Sequence, residues 1–185
     1  MRRPRLKKLS NILARIPVIT KGEIPAVKIR AVSSDSRQVQ AGDAFVAIKG
    51  EKSDGFDYIH SAIEHGAALI VGNRPAPKDL TVPYVEIDDD PRKALAWLAA
   101  ATHNFPARKL RMIGVTGTDG KTSTSSMIHH VLNQAGFKAG MISTVNALIG
   151  DQEVDTGFHV TTPDAPAIQA YLAEMVHAGM THCVL

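Results

Sequence analysis

The stretch GVTGTDGKTSTSS, residues 114–126, restricts the fold more than any other part of the chain. It follows an apolar run, RMIGVT, that reads as a strand, and it opens KTSTSSMIHHVLNQAG, which reads as a helix. Strand, glycine-bearing turn and helix N-terminus, in that order, bring backbone N–H groups together on phosphate oxygens. Gly117 and Gly120 permit positive φ and leave no side chain in the way. Lys121 is spaced to reach β- and γ-phosphates and the Thr122 hydroxyl to coordinate Mg²⁺, roles that fit ATP. The candidate nucleotide residues are therefore Gly117, Thr118, Asp119, Gly120, Lys121, Thr122 and Ser123, with Lys121 catalytic and Thr122 the metal ligand. The strict form of such a loop has four residues between its glycines. Here Val115 stands at the first glycine position and Gly114 lies one place early. A turn with a purely structural role is the alternative.

Around this turn the second half alternates strand and helix: RMIGVT, the turn, KTSTSSMIHHVLNQAG, KAGMIST, a loop, APAIQAYLAEMVHAG and THCVL. Met127, Ile128, Val131, Leu132 and Ala135 share one helical face, and Ile168, Tyr171, Leu172, Met175 and Val176 share another. Gly136 and Gly179 stop these helices. His129 and His130 lie too far along the first helix to meet phosphates and read as structural. The first half carries strands at KIRAVS, DAFVAIKG, ALIVG and YVEID, with helices at YIHSAIEHGA and PRKALAWLAAATHNF. Asp90 caps the latter helix and Pro91 fits its first turn, which explains the acids Asp88–Asp90 without a metal. Trp97 and its alanine neighbours read as a packed helix face.

The expected fold class is α/β: a small N-terminal α/β domain over residues 1–107, then the start of a P-loop, mainly parallel-sheet ATPase domain over 108–185. HNFPARKL is the linker. THCVL is still apolar at Leu185, so the second domain is expected to be incomplete.

Composition excludes other classes. Hydrophobic residues make 44% of the 185 and charged residues 21%, which suits a globular chain rather than a disordered one. Six basic residues and no acid lie in the first fifteen, yet Leu6, Leu9, Leu13 and Ile16 recur at helical spacing. That pattern predicts an ordinary amphipathic helix with Lys7 and Lys8 facing solvent. No apolar stretch suits a signal peptide or membrane span, and Cys183 is the one cysteine, read as a small buried side chain. A cytoplasmic, monomeric protein without nucleic-acid or membrane partners is expected. Five Phe, three Tyr and one Trp, scattered along the chain, offer no stacking platform for single strands.

At GVTGTDGKTST the chain resembles the Mur ligases, ATP-dependent amide-forming enzymes of peptidoglycan precursor synthesis. SSDSRQVQAGDAFVAIKGEKSDGFDYIHSAIEHGAALIV, residues 33–71, resembles the N-terminal domain of the ligases that add the third residue and the terminal dipeptide. HVTTPDAPAIQAYLAEMVHAGMTHCVL, residues 159–185, resembles the third-residue branch. The resemblance implies a UDP-binding first domain and a reaction of UDP-N-acetylmuramoyl-dipeptide, ATP and a third amino acid, diaminopimelate or lysine, through an acyl phosphate. By position it implies that Ser34 and Ser36 hold the uridine, that Glu51, Lys52 and Ser53 form a second uridine-diphosphate contact, and that Thr161 and Thr162 touch the muramoyl peptide. Each has a structural alternative as a turn, solvated or corner residue. Asp119 departs from the Asn usual in the family. The resemblance ends before the family's magnesium Glu, its carbamylated Lys and its C-terminal domain, so this stretch alone is expected to be inactive. The alternatives are the dipeptide-adding ligase, a ligase like folylpolyglutamate synthetase, and a non-catalytic nucleotide-binding module.

Overall fold

Apolar runs too short for helices become strands buried on both faces, and they do so twice along this chain. The structure, a computed structural model, describes residues 2–51, 53–155 and 163–185. The chain folds into two compact units, Arg3–Asn104 and Phe105–Leu185, with Arg2 grouped with the latter.

The Arg3–Asn104 unit runs β1 (Lys7–Lys8), α1 (Leu9–Leu13), β2 (Thr20–Lys21), β3 (Lys28–Ile29), β4 (Val32–Ser33), β5 (Ala44–Val46), α2 (Ile59–Glu64), β6 (Leu69–Gly72), β7 (Tyr84–Ile87) and α3 (Pro91–Thr102). One sheet has the order β2-β7-β6-β5-β4, parallel from β4 to β7, with β2 antiparallel at one edge. β5 and β6 are buried at every residue, as central strands covered on both faces must be. Under α2, Phe45, Ala47, Ile59, Ala62 and Ile70 form a core cluster with Val39 and Ala67. α3 begins as expected: the Asp90 carboxylate accepts from Arg92 N at 2.9 Å and Pro91 occupies the first turn.

Three expectations for this unit are corrected. KIRAVS is divided between two sheets, because β3 pairs with β1 and β4 with β5. The N-terminal helix is only five residues long. Leu9, Ile12 and Ile16 are buried, but Leu6 is 48% exposed and Lys7–Lys8 is extended, paired with Lys28–Ile29. Lys7 does not face solvent: its Nζ donates to Ala101 O (2.9 Å), Thr102 O (2.5 Å) and Asn104 Oδ1 (2.9 Å), satisfying the C-terminal carbonyls of α3. Its burial, together with the nearby Arg15, lowers its pKa from the usual lysine range. Trp97 lies on the outer side of α3, whereas Ala94, Leu95, Leu98, Ala99 and Ala101 are buried.

The Phe105–Leu185 unit runs β8 (Arg111–Ile113), α4 (Lys121–Gln134), β9 (Ala139–Ile142), β10 (Asn146–Ile149), β11 (Gln152–Asp155), α5 (Ala165–His177) and β12 (His182–Val184). Its sheet has the order β11-β10-β9-β12-β8, in which β9, β12 and β8 are parallel and β10 and β11 antiparallel. Alternation along the strands separates the helices. Ile142 and Cys183 join Tyr171, Leu172 and Met175 of α5 in one cluster, whereas Met141 meets Ser126 of α4 on the opposite face. The expected α5 face is the buried one, and Gly136 and Gly179 end their helices at φ 85° and 72°.

Two expectations differ here. On α4, Ser125 is buried, Ile128 and Leu132 are half-buried, and Met127 (67%) and Val131 (64%) are exposed. The apolar stripe is wider than the sheet beneath it, because β8 is the edge strand among the described residues. The loop expected after KAGMIST begins instead with the hairpin β10–β11, which turns at Gly150 with φ 61°.

Candidate functional site

The phosphate turn is built by continuing a parallel strand pair. Leu185 N donates to Ile113 O at 2.8 Å and Val115 N to Leu185 O at 2.7 Å, so β8 and β12 remain paired up to the start of the turn. The turn therefore sits at the carboxyl ends of parallel strands, where open α/β sheets bind ligands. Gly120, at φ 74°, is the residue before α4, and no side chain caps that helix. Thr124 N is the first donor to bond back, to Gly120 O at 2.9 Å. The preceding N–H groups and the positive end of the helix dipole are thus turned toward the cleft.

Lys121 Nζ donates to Gly117 O (2.9 Å) and Thr118 O (3.2 Å), which holds the ammonium over the turn. Lys121 and Thr122 line a cleft with Ser125, Ser143 and Thr144 over apolar Val115, Ile142 and Leu185. Gly117, Thr118, Asp119, Gly120 and Ser123 are exposed and are not part of this lining. Ser125, Ser143 and Thr144 did not stand out in the sequence. Ser125 lies four residues beyond Lys121, on the same helix face, a signal local enough to have been read. Ser143 is anchored by its hydroxyl, which accepts from Val145 N and Asn146 N, both at 3.2 Å. The described residues contain no group of three or more His, Cys, Asp or Glu suited to a metal. The cleft instead offers a hydroxyl beside a lysine, which suits Mg²⁺ that keeps waters and arrives with phosphates.

The other unit brings Ser34, Ser36 and Ser53 together. They line one cleft with Asp35, Arg37, Gly50, Gly55 and Tyr58. Asp35 caps the short 3₁₀ turn Ser36–Gln38 by accepting from Arg37 N at 3.1 Å, and it also accepts from Arg37 Nε at 2.9 Å. The Arg37 side-chain bond holds the Asp35 carboxyl below the usual carboxylate range, partly opposed by burial. Gly50 N donates to Ser53 O at 2.9 Å. Gly55 has no room for a side chain: an added Cβ would stand 2.5 Å from Ile48 N. Glu51 is exposed and is not part of this lining. Lys52, Thr161 and Thr162 lie outside the described residues.

The profile of the Mur ligase family catalytic domain matches residues 28–103, and that of the Mur ligase middle domain matches residues 115–185. The chain belongs to the Mur ligase family. A UDP-N-acetylmuramoyl-L-alanyl-D-glutamate--2,6-diaminopimelate ligase of Cytophaga hutchinsonii is 34% identical over 181 residues, 96% of this chain and 36% of that protein. The chain spans about a third of the length of the curated relatives it matches. A solved UDP-N-acetylmuramoyl-L-alanyl-D-glutamate--2,6-diaminopimelate ligase superposes with a TM-score of 0.75 at 22% identity, covering 97% of this chain and 36% of that one. The MurF ligase of Thermotoga maritima, solved in complex with ADP, superposes with a TM-score of 0.54 at 24% identity over 84% of this chain and 31% of its own. These likenesses establish an α/β Mur ligase fold. No described helix is long and apolar enough to cross a membrane.

Proposed function

We propose that this chain forms the nucleotide-sugar-binding unit and the phosphate turn of an ATP-dependent ligase that adds the third amino acid to UDP-N-acetylmuramoyl-dipeptide. Residues 1–107 take the nucleotide sugar and 108–185 belong to the ATP-binding domain, in a monomeric cytoplasmic enzyme. The observation that carries this reading is the uncapped N-terminus of α4, with Lys121 and Thr122 at the carboxyl ends of β8 and β12. The names of the relatives support diaminopimelate as the added amino acid.

Each residue then has a physical task. The N–H groups after Gly120 and the Lys121 ammonium bind the β- and γ-phosphates and offset charge on the group transferred to the substrate carboxylate. Transfer converts a carboxylate, a poor electrophile, into an acyl phosphate that an amine can attack. Bound Mg²⁺ supplies further charge neutralisation, and the Thr122 hydroxyl is the side chain that would hold it. Ser34, Ser36 and Ser53 offer hydroxyls to the uridine part, and Thr161 and Thr162 to the muramoyl peptide.

Amide NMR spectra of the 185-residue chain, titrated separately with UDP-N-acetylmuramoyl-dipeptide and with ATP and Mg²⁺, test the division of labour. The sugar nucleotide is expected to shift amides near Ser36 and Ser53, and ATP those of 117–125. ATP acting at Ser36, or neither ligand acting at its own cleft, would contradict the assignment.

A further inference from the structure

The linker stretch PARKL and the two strands it leads into build a second cleft at the other end of the sheet from the phosphate turn. Arg111 and His182 are the first residues of β8 and β12 and stand directly opposite one another in the parallel register. Arg111 N donates to Thr181 O at 2.9 Å, which fixes the strand ends. The Arg108 guanidinium lies 4.2 Å above the ring of Phe105, itself buried, so it is held rather than loose. Lys109 completes three cations around the opening, and among the described residues none of the three has an acidic partner. The cleft lining likewise contains no acid.

The inner wall is polar and ordered. His182 is only 7% exposed, and its Nδ1 lies 2.8 Å from Thr181 Oγ1. The Thr181 hydroxyl also donates to Lys138 O at 3.3 Å. The ring of Phe137 stands beside this imidazole at 4.8 Å, tilted by 55°, yet is 45% exposed. Unpaired cations, an oriented buried imidazole and an open aromatic face in one concavity suit a ligand with a negative charge at one end and a flat ring at the other.

We infer that this cleft, walled by Arg108, Lys109 and Arg111 and backed by Phe137, Thr181 and His182, is a second anion site that takes a small phosphate-bearing molecule with a planar ring, of the mononucleotide class. The cations receive the phosphate and Phe137 the ring. The inference does not depend on the ligase reading, since the phosphate turn lies at the opposite ends of the same strands.

Amide NMR titration of the 185-residue chain with AMP tests it, with inorganic phosphate and adenosine as partial ligands. AMP is expected to give saturable shifts at Lys109, Arg111, Phe137, Thr181 and His182, and these shifts persist in Lys121→Ala, where binding at the phosphate turn is impaired. Phosphate alone binds at least tenfold more weakly. The double variant Lys109→Gln with Arg111→Gln, which removes both charges but keeps polar side chains at exposed positions, is expected to lower AMP affinity at this cleft at least tenfold. Shifts confined to 117–125, or adenosine binding as well as AMP, would overturn the proposal. So would an oligonucleotide that binds far more tightly than AMP across a wider surface, because that is the signature of a nucleic-acid face.

Discussion

Cys183 sits at the middle of β12 with no exposed surface, and burial pushes its thiol from 9.0 up to about 12. Only a thiolate attacks a disulfide reagent, so the folded chain is expected to resist labelling at pH 8 and to react in step with unfolding as urea is added. Rapid labelling without denaturant would show that β12 is not covered as described. The sign of the pH effect follows from the same shift. The folded pKa lies above the unfolded one, so this contribution to stability is fully present below about pH 9 and is lost as pH rises from there toward 12. At this scale the sequence was informative wherever the cause was local. A cysteine within an apolar run is buried, Asp90 before Pro91 caps, and Gly120 before Lys121 adopts positive φ. The expectation of a solvent-facing Lys7 fails because its partners, the carbonyls of Ala101 and Thr102, lie far along the chain and leave no local mark.

Helix α5 and strand β9 meet where Gly140 leaves room. A Cβ added there would stand 2.7 Å from Met175 Sδ and 3.0 Å from Leu148 O. Gly140→Ala is therefore expected to destabilise the second unit by about 1–3 kcal/mol, because the overpacked face must shift a helix or a strand. Urea denaturation measures the loss, and an unchanged midpoint would mean that α5 packs less closely than described. Helical periodicity identified the α5 face, since its apolar stripe matches the surface it covers. On α4 the same rule indicated too wide a face, because periodicity shows which residues are apolar and not how far a sheet extends beneath them. The hairpin was hidden by its brevity: Asn146–Ile149 and Gln152–Asp155 offer four residues each, although Gly150–Asp151 between them is a two-residue turn signal. The cleft shows the same limit. Lys121 and Thr122 are legible beside their glycine, whereas Ser143 and Thr144 reach the site through the parallel pairing of β9 with β12, a non-local event.

Over the whole molecule, two units have separate cores, and under the ligase reading each carries a cleft for its own ligand. Residues 1–107 made alone are expected to unfold cooperatively, because the sheet from β2 to β4 and its covering helices lie within them. Circular dichroism during urea titration checks this, and a gradual, non-cooperative loss of signal would count against an independent unit. Under the ligase reading, Lys121 serves transfer of phosphate to a muramoyl-peptide carboxylate. Its most direct test is tripeptide formation from UDP-N-acetylmuramoyl-dipeptide, ATP, Mg²⁺ and diaminopimelate by a protein extending over the full length of the relatives, with and without Lys121→Ala. Tripeptide, ADP and phosphate are expected from the parent protein, and a rate lower by roughly 10²–10³ or more from a variant that keeps its fold, the loss that follows removal of a charge-stabilising donor. Near-normal turnover in Lys121→Ala, or a folded parent protein that forms no tripeptide, would contradict it.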